Sequence, residues 1–339
     1  MIPNRILILR FSSIGDIVLT TAMIEYLKKM MPDCELHFLT RSDYAAILDG
    51  NPNLARIVMV ERTASLTSLR HLARKLTDFR YSLFLDLHDS LRTKYLRWWL
   101  RDYHWIIYRK PRLNRFFLFY LHYNRFSQDH DITSNYFRLL NNQVHDNFRS
   151  RPTIHIRPQE KERSLQLLGK YGVDGKFVGV IPGAAWYSKI WLANRYIKVL
   201  NTIYEEEKLP IVILGGWKDS ICDILTRGVP HAINLKGKTD LRTSLAILSC
   251  AEVVIGSDTG LTHGAEAVGT PVILINGPTS REVGARVRAK RSAELTARPW
   301  CQPCSKNGSR PCYRKEQVCL TEITPDLVLT SLRNVLTED

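Results

Sequence analysis

The stretch RILILRFSSIGDIVLTTAMIEYLKKMMP, residues 5–32, decides the fold class of the chain. It starts with a short aliphatic run, continues through a Ser-Ser-Ile-Gly-Asp loop and ends in a pattern of apolar residues at helical spacing. A strand, a loop and a helix in this order form the repeating unit of parallel α/β sheets. In such sheets ligands bind at the carboxyl ends of the strands, so this loop is a candidate site.

The same alternation of short aliphatic runs and helical patterns continues through two halves of the chain. It predicts strands at 5–9, 35–40, 56–60, 82–87 and 104–108, then at 177–181, 211–215, 232–235, 253–256 and 272–275. The charged, proline-containing stretch 149–164 separates the halves. We therefore predict two doubly wound, Rossmann-like α/β domains over 1–160 and 161–323. A terminal helix follows over 324–339, with Thr324 as its N-cap.

Length and composition agree with this prediction and exclude several classes of protein. The chain has 339 residues, enough for about two domains. Hydrophobic residues make up 45% and charged residues 24%, which excludes disordered, collagen-like and coiled-coil chains. No apolar run is long enough for a transmembrane helix or a signal peptide, which predicts a cytoplasmic protein. The net charge of +15 predicts an anionic partner.

Asp16 is the candidate of the first loop, and two interpretations of it are open. At the start of a predicted helix it is an N-cap by ordinary statistics. At the mouth of a cleft, however, a carboxylate can act as a general base toward a hydroxyl nucleophile. The neighbouring Gly15 is predicted to allow a tight turn of the backbone.

Two further strand–loop–helix stretches suit phosphate binding. In KFVGVIPGAAWYSKIWLANRYIKVL, residues 176–200, Lys189 lies just before a helix, as a phosphate ligand or a solvated loop lysine. In EVVIGSDTGLTHGAEAVGTPVILI, residues 252–275, the loop Asp258–His263 opens a short helix whose amides can cradle a diphosphate. Taken alone, Asp258 is more often a helix cap and His263 a packed core residue.

Together these stretches resemble glycosyltransferase family 9, the ADP-heptose:lipopolysaccharide heptosyltransferases. The resemblance rests on RFSSIGDIVLTTAMIEYLKKMMPDCELHFLT, IPGAAWYSKIW, VILGGWKDS and GSDTGLTHGAEAVGTPVILINGPTS, and spans nearly the whole chain. It implies a GT-B arrangement with a cleft, in which the first domain binds the acceptor and the second binds the nucleotide sugar. It also implies a terminal helix that returns to the first domain, and an inverting transfer from ADP-heptose to the lipopolysaccharide inner core without a catalytic metal.

The resemblance also implies roles for individual residues. Asp16 would deprotonate the acceptor hydroxyl, within a loop shaped by Ser12, Ser13 and Gly15. The departing ADP would be held by Lys189, Asp258, Thr259, Gly260, Leu261, Thr262 and His263. Asp219 would contact the donor ribose or cap a helix. Many relatives carry a Glu after the paired glycines, where this chain has Lys218-Asp219. Asp129-His130-Asp131 mimics a metal motif of another transferase fold, but it precedes a helical pattern and is interpreted as a cap or surface feature.

A segment over residues 92–126 is both basic and aromatic. It includes Arg92, Lys94, Arg97, Trp98 and Arg101, a composition typical of a surface that meets anionic membrane headgroups. It predicts a peripheral protein on the inner face of the inner membrane. The alternatives are core aromatics beneath a solvated charged face, or a nucleic-acid-binding patch; no nucleic-acid partner is expected.

Four cysteines, Cys301, Cys304, Cys312 and Cys319, are clustered in WCQPCSKNGSRPCYRKEQVC. One paired spacing with two single cysteines can close a structural zinc site, but free thiols fit a reducing compartment better.

The sequence is also compatible with two other functions. A transferase or epimerase of similar architecture using a different nucleotide sugar would need the same phosphate loops. A basic nucleic-acid-binding protein would explain the charge but not those loops.

Overall fold

The computed structural model of the chain describes residues 4–128, 130–140 and 150–337. The chain divides into two compact units. Unit 1 comprises Met1–Arg112 and Asp129–His155, and unit 2 comprises Leu113–Gln128 and Ile156–Asp339. Both are α/β units built on a parallel sheet.

Unit 1 contains a five-stranded parallel sheet in the order β3-β2-β1-β4-β5. Its strands are β1 Arg5–Leu9, β2 Glu35–Arg41, β3 Arg56–Val60, β4 Leu83–Asp86 and β5 Trp105–Ile107. Its helices are α1 Ile14–Met30, α2 Leu66–Thr77, α3 Leu91–Trp99 and α5 Ile132–Phe137, while α4, Arg112–Tyr120, leads into unit 2. Residues 6–9 of β1 are fully buried because helices cover a parallel sheet on both faces.

Unit 2 contains a six-stranded parallel sheet in the order β11-β10-β9-β6-β7-β8. Its strands are β6 Val178–Ile181, β7 Ile211–Ile213, β8 Ile233–Asn234, β9 Val253–Ser257, β10 Val272–Ile275 and β11 Ala293–Leu295. Its further helices are α6 Pro158–Gly169, α7 Ala193–Thr202, α8 Ser220–Gly228, α9 Leu241–Leu248, α10 Gly260–Ala267, α11 Val318–Thr321 and α12 Pro325–Thr337.

The strand order of each sheet determines where a ligand can bind. In unit 1 the order reverses between β1 and β4, and in unit 2 between β6 and β9. At such a switch point the loops after the two strands diverge to opposite faces and leave a crevice. The loops that carry Asp16, Lys189 and Asp258 follow β1, β6 and β9. Each candidate residue therefore lies at the switch point of its own sheet.

The terminal helix α12 packs in unit 2. Thr324 caps it as predicted, with its hydroxyl 3.3 Å from the amide of Leu327. Its apolar face, formed by Val328, Leu329, Leu332 and Val335, is buried in the core against the sheet of unit 2. The prediction that this helix returns to the first domain is therefore wrong, because the apolar stripe finds its partners in the sheet of its own unit.

The segment Leu113–Gln128 lies within the predicted amino-terminal domain but belongs to unit 2. Leu118 and Phe119 of α4 are buried. Asn124 donates a 2.9 Å hydrogen bond to Glu282, in the loop after β10. The sequence of residues 1–160 does not predict that this segment belongs to unit 2, because only its long-range contacts assign it there.

All ten predicted strands are present, with ends that differ by a few residues at most. The sequence pattern missed the short strand β11, which has one buried residue, Leu295. In the described ranges, none of the helices combines the length and hydropathy needed to cross a bilayer.

Candidate active site

Asp16 lies in the first turn of α1, directly after β1. Its Oδ2 accepts hydrogen bonds from the amide of Ser13 at 3.1 Å and from the hydroxyl of Ser13 at 2.9 Å. Its Oδ1 lies 2.6 Å from a guanidinium nitrogen of Arg10. Asp16 therefore closes the first turn from inside the helix, while Ser13 is the N-cap. The carboxylate holds both a capping contact and an ion pair.

Arg10 organises the unit 1 site, although no role was predicted for it from the sequence. It is 4% exposed. Its Nε donates to the carbonyl of Ser12 at 2.9 Å, and its Nη1 donates to the carbonyl of Leu87, after β4. Arg10 thus ties together the loops on both sides of the switch point. One feature of the sequence could have indicated this role: Arg10 is a cation placed directly after a strand that is predicted to be buried. A buried guanidinium requires anionic and carbonyl partners, so such a residue is expected to organise the groups around it.

The protonation state of Asp16 follows from opposing effects. Burial acts to raise the pKa of Asp16, but the charge of Arg10 and the hydrogen bonds from Ser13 outweigh burial and hold it well below its usual range. The side chain keeps 34% of its surface exposed. The carboxylate is therefore ionised at neutral pH and accessible to a substrate.

Gly15 does not form the tight turn predicted for it. It lies inside α1, which begins at Ile14, and its φ is not positive. The helix starts earlier than predicted because the contacts between Ser13 and Asp16 already satisfy its first turn. The peptide bond between Ser12 and Ser13, just before the helix, is cis.

Lys189 and Asp258 form the centre of the unit 2 site. The Nζ atom of Lys189 lies 2.6 Å from Oδ2 of Asp258 and donates to its backbone carbonyl at 3.1 Å. The side chains are only 13% and 7% exposed. Lys189 is therefore held in a defined direction and is not a solvated loop lysine.

Two other groups complete the environment of Asp258. Nε2 of His263 lies 3.0 Å from Oδ1, and the hydroxyl of Thr279 donates to Oδ2 at 2.6 Å. Burial acts to raise the pKa of Asp258, but the hydrogen bond from His263 and the charge of Lys189 hold it well below its usual range. Asp258 is thus not the helix cap expected from statistics. It is an ionised carboxylate that positions a lysine and a histidine.

The N-terminus of α10 begins beside this pair. Thr259 is the N-cap, and its hydroxyl accepts from the amide of Thr262 at 3.4 Å. The hydroxyl of Thr262 donates to the carbonyl of Ser257 at 2.8 Å and is therefore engaged within the loop. The amides of Gly260 and Leu261 precede the first intrahelical bonds, so they are oriented to meet an anion.

Asp219 lies over the strand ends on the other side of the switch point. It occupies the N-cap position of α8, but its Oδ2 accepts from the amide of Gly216 at 2.7 Å without capping the helix. A Cβ atom at Gly183 would lie 2.5 Å from the carboxyl carbon of Asp219. The glycine after β6 therefore makes room for this carboxylate.

The basic segment is only partly a surface patch. In and just before it, four residues are exposed at helical spacing: Leu91, Lys94, Trp98 and Arg101, with Trp98 at 62%.

Other basic residues of the segment make contacts within the protein. Arg97 turns inward, with Nη1 3.8 Å from Oδ2 of the buried Asp86. Arg92 donates to the carbonyl of Arg62 at 2.6 Å. The exposed face of α3 is thus smaller than the sequence suggested.

The four clustered cysteines, Cys301, Cys304, Cys312 and Cys319, line one small pocket of unit 2 together with Ser188. All four are free thiols. Burial raises the pKa of Cys319 to about 12, which keeps this thiol protonated. Within the ranges that the structure describes, no group of three or more His, Cys, Asp or Glu residues is arranged to hold a metal ion.

This cysteine-rich segment supports the loop that carries Lys189. Gln317 donates to the carbonyl of Ser188, whose hydroxyl donates to the carbonyl of Gly308 at 2.5 Å. A Cβ atom at Gly308 would lie 2.8 Å from Cγ of Lys189. The segment therefore contacts the lysine loop directly.

The Asp-x-Asp sequence is a capping feature where it is described. Asp131 caps α5 by accepting from the amides of Thr133 at 2.7 Å and Ser134 at 3.4 Å. Asp129 lies outside the described residues.

Comparisons with known proteins identify the family and the fold of the chain. The family model for glycosyltransferase family 9 (heptosyltransferase) matches residues 69–313. Lipopolysaccharide heptosyltransferase 3 of Escherichia coli is 26% identical over 78% of this chain and 81% of its own length. Two solved structures match with TM-scores of 0.79 and 0.76: a glycosyl transferase family 9 protein from Veillonella parvula and the ADP-heptose lps heptosyltransferase II of E. coli. They are 20% and 18% identical and cover 99% and 98% of this chain, and 98% of each matched chain.

Proposed function

This chain belongs to glycosyltransferase family 9, the heptosyltransferase family, and on this premise we propose that it moves heptose from ADP-L-glycero-D-manno-heptose to the lipopolysaccharide inner core with inversion at the anomeric carbon. The observation that carries the proposal is the buried network of Lys189, Asp258 and His263 beside the N-terminus of α10. It combines a cation, a histidine and free amides where a leaving diphosphate needs them.

In the proposed reaction Asp16 accepts the proton of the acceptor hydroxyl. The acceptor oxygen forms a bond to the anomeric carbon as the bond from that carbon to the diphosphate breaks. ADP leaves with the electron pair of the broken bond, and the proton remains on Asp16. The exposed part of the Asp16 carboxylate and its ionised state support this role.

The unit 2 residues act on the leaving group. Lys189 has three N–H donors, two of which point to Asp258, so a phosphate oxygen can take the third. The amides of Gly260 and Leu261 offer further donors at the positive end of α10. Asp258 touches no phosphate in this scheme and acts by holding Lys189 and His263. Asp219 would contact the donor ribose.

A direct test is transfer by the purified enzyme between defined donors and defined acceptors. We expect ADP-heptose to be consumed only when a truncated lipopolysaccharide acceptor is present, and the product linkage to be inverted by NMR. Turnover of another nucleotide sugar, with none of ADP-heptose, would favour the second candidate function, a transferase or epimerase for that sugar. Consumption of ADP-heptose without an acceptor would contradict the proposal.

We also propose that the protein binds the anionic surface of the inner membrane from its cytoplasmic side. In unit 1, the exposed face of α3 carries Lys94 and Trp98, and the exposed Arg101 follows the helix. In unit 2, α4 exposes Phe116 at 49% and Tyr120 at 58%. Aromatic and basic side chains together suit the boundary between headgroups and acyl chains. Such binding would bring the enzyme to a lipid-anchored acceptor.

A further inference from the structure

Unit 2 contains an open cavity of about 630 Å³ that none of the proposed donor contacts uses. We call it the β10–β11 cavity, because its floor is formed by residues that follow these two strands. Its other wall is formed by residues of the segment Leu113–Gln128. Its volume falls in the range of sites that hold small molecules.

The walls of the cavity are polar and carry an excess of positive charge. Arg281, Arg286 and Arg298 line it, against the two carboxylates Glu282 and Glu294. Burial raises the pKa of Glu294, although Asn276 donates to it and the charges of Arg286 and Arg298 act in the opposite direction. The cavity therefore favours a ligand with hydroxyl groups and a negative charge.

A row of polar contacts lies between the cavity and the proposed diphosphate site. Glu294 accepts from Asn276 at 3.0 Å. The hydroxyl of Thr279 lies 2.9 Å from Oδ1 of Asn276 and 2.6 Å from Oδ2 of Asp258, and its single proton serves one of these two acceptors at a time. The cavity is thus separated from the Asp258–Lys189 pair by Asn276 and Thr279 alone.

The order of strands gives the position of the cavity along the sheet. At the carboxyl edge of the sheet, Asp219 lies in the segment after β7, and the proposed diphosphate ligands lie after β6 and β9. The cavity is lined by residues at the ends of β10 and β11. The cavity therefore lies beyond the diphosphate on the side away from the proposed ribose site. A group bound there belongs to the reacting sugars, not to the nucleoside.

We propose that the β10–β11 cavity binds a sugar of the acceptor that carries a phosphate or carboxylate group, with Arg281 and Arg298 as its charge partners. One wall of the cavity, Leu113–Gln128, lies in sequence within the predicted acceptor domain 1–160, so the acceptor would contact residues of that domain as well as the loops after β10 and β11. This inference rests on the proposed function, which supplies an acidic acceptor. The transferred heptose is neutral and does not account for the arginines. Asn276 and Thr279 lie between the cavity and Asp258.

The test uses small probes on the full chain saturated with ADP, so that the proposed diphosphate site is already occupied. Glucose 6-phosphate, glucuronate, glucose and inorganic phosphate are titrated by calorimetry or ligand-observed NMR. We expect glucose 6-phosphate or glucuronate to bind at least 10-fold more tightly than glucose, and the stronger of the two identifies the acidic group. Equal binding of glucose would overturn the inference. Inorganic phosphate that binds as tightly as glucose 6-phosphate would reduce the cavity to an anion site and overturn it as well.

Variants at the exposed arginines locate the binding. Arg298→Gln and Arg281→Gln should each weaken the acidic probe about 10-fold, which corresponds to ~1.4 kcal/mol, and leave ADP affinity unchanged. Arg333→Gln, on α12 and ion-paired with Glu206, is the matched control. If neither cavity variant changes probe binding, the assignment is wrong.

The proposed function can fail separately. A protein that binds the acidic probe but transfers no heptose refutes the function and keeps the site. Conversely, if wild-type enzyme transfers heptose with the same KM to phosphorylated and dephosphorylated acceptors, and Arg298→Gln leaves both values unchanged, the function stands and the cavity assignment fails.

Discussion

At the scale of single residues, the protonation of Asp16 depends on Arg10. Arg10 and Ser13 hold the pKa of Asp16 low despite burial. A lowered folded-state pKa contributes stability above the unfolded value of about 3.9, and that stability is lost as pH falls toward the folded value. The same effect weakens Asp16 as a base, because base strength falls with pKa. Arg10 therefore keeps the Asp16 carboxylate ionised and oriented, and at the same time makes it a weaker base.

Arg10→Gln should raise the pKa of Asp16, since burial would then act without the guanidinium. We expect the acid limb of the kcat/KM profile to move to higher pH. Stability near neutral pH should fall by less than the ~3–5 kcal/mol of a fully buried pair, because solvent screens the 34% of the Asp16 side chain that is exposed. Arg41→Gln, which breaks the pair with the more exposed Asp43, is the control. An unchanged pH profile in the folded variant would show that Arg10 does not set this pKa.

Asp16→Asn removes the proposed base and keeps the shape of the side chain. Transfer should fall by about 10²–10⁴-fold, the range for loss of a general base. ADP affinity, measured by calorimetry, should stay within a few-fold because no proposed ADP ligand changes. Retained turnover would refute the assignment of Asp16 as base.

Lys189→Ala removes the cation proposed to stabilise the leaving diphosphate. We expect weaker ADP binding and transfer slowed by about 10²–10³-fold, as for loss of one preorganised donor. Lys198→Ala, on the exposed surface of α7, serves as the control. Unchanged ADP binding in calorimetry would remove Lys189 from the donor site.

At the scale of elements, α12 shows how an amphipathic pattern leaves its partner undetermined. The sequence correctly places the helix start at Thr324 and Pro325 because capping is local. The surface that receives its apolar stripe is not encoded locally. In the structure that surface is the sheet of unit 2, reached by Leu332 and Val335 among others.

Leu332→Ala should therefore destabilise unit 2. Leu332 is fully buried, so the expected loss is about 2–5 kcal/mol in urea unfolding. Leu327→Ala, at a position that is 44% exposed on the same helix, should change stability by less than about 0.5 kcal/mol. Similar losses for both variants would mean that α12 is not packed as described.

At the scale of the whole molecule, the net charge of +15 is the property most relevant to a membrane surface. Charge attracts the chain to anionic lipid, and exposed aromatic side chains then add apolar contact. The two contributions differ in their response to salt, because screening acts only on the charges.

Binding to anionic vesicles should accordingly fall as salt rises, and zwitterionic vesicles should bind little at any salt concentration. Phe116→Ser should lower binding at fixed salt, whereas Trp217→Ser, which removes another exposed aromatic residue, should not. Co-sedimentation measures both. No binding to anionic vesicles at low salt would eliminate the membrane proposal.

The sequence alone determined the class of fold, the ten main strands and the three loops that carry Asp16, Lys189 and Asp258, because these depend on local patterns and on the rule that ligands bind at the carboxyl ends of parallel strands. Tertiary structure decided the rest. It placed Arg10 against Asp16 and Thr279 against Asp258, packed α12 into unit 2 and moved Leu113–Gln128 out of the predicted first domain. Each of these contacts joins residues that are distant in sequence: a buried charge needs a partner, and an apolar helix face needs a surface to pack against. The local sequence does not specify that partner or surface, because only folding brings the two together.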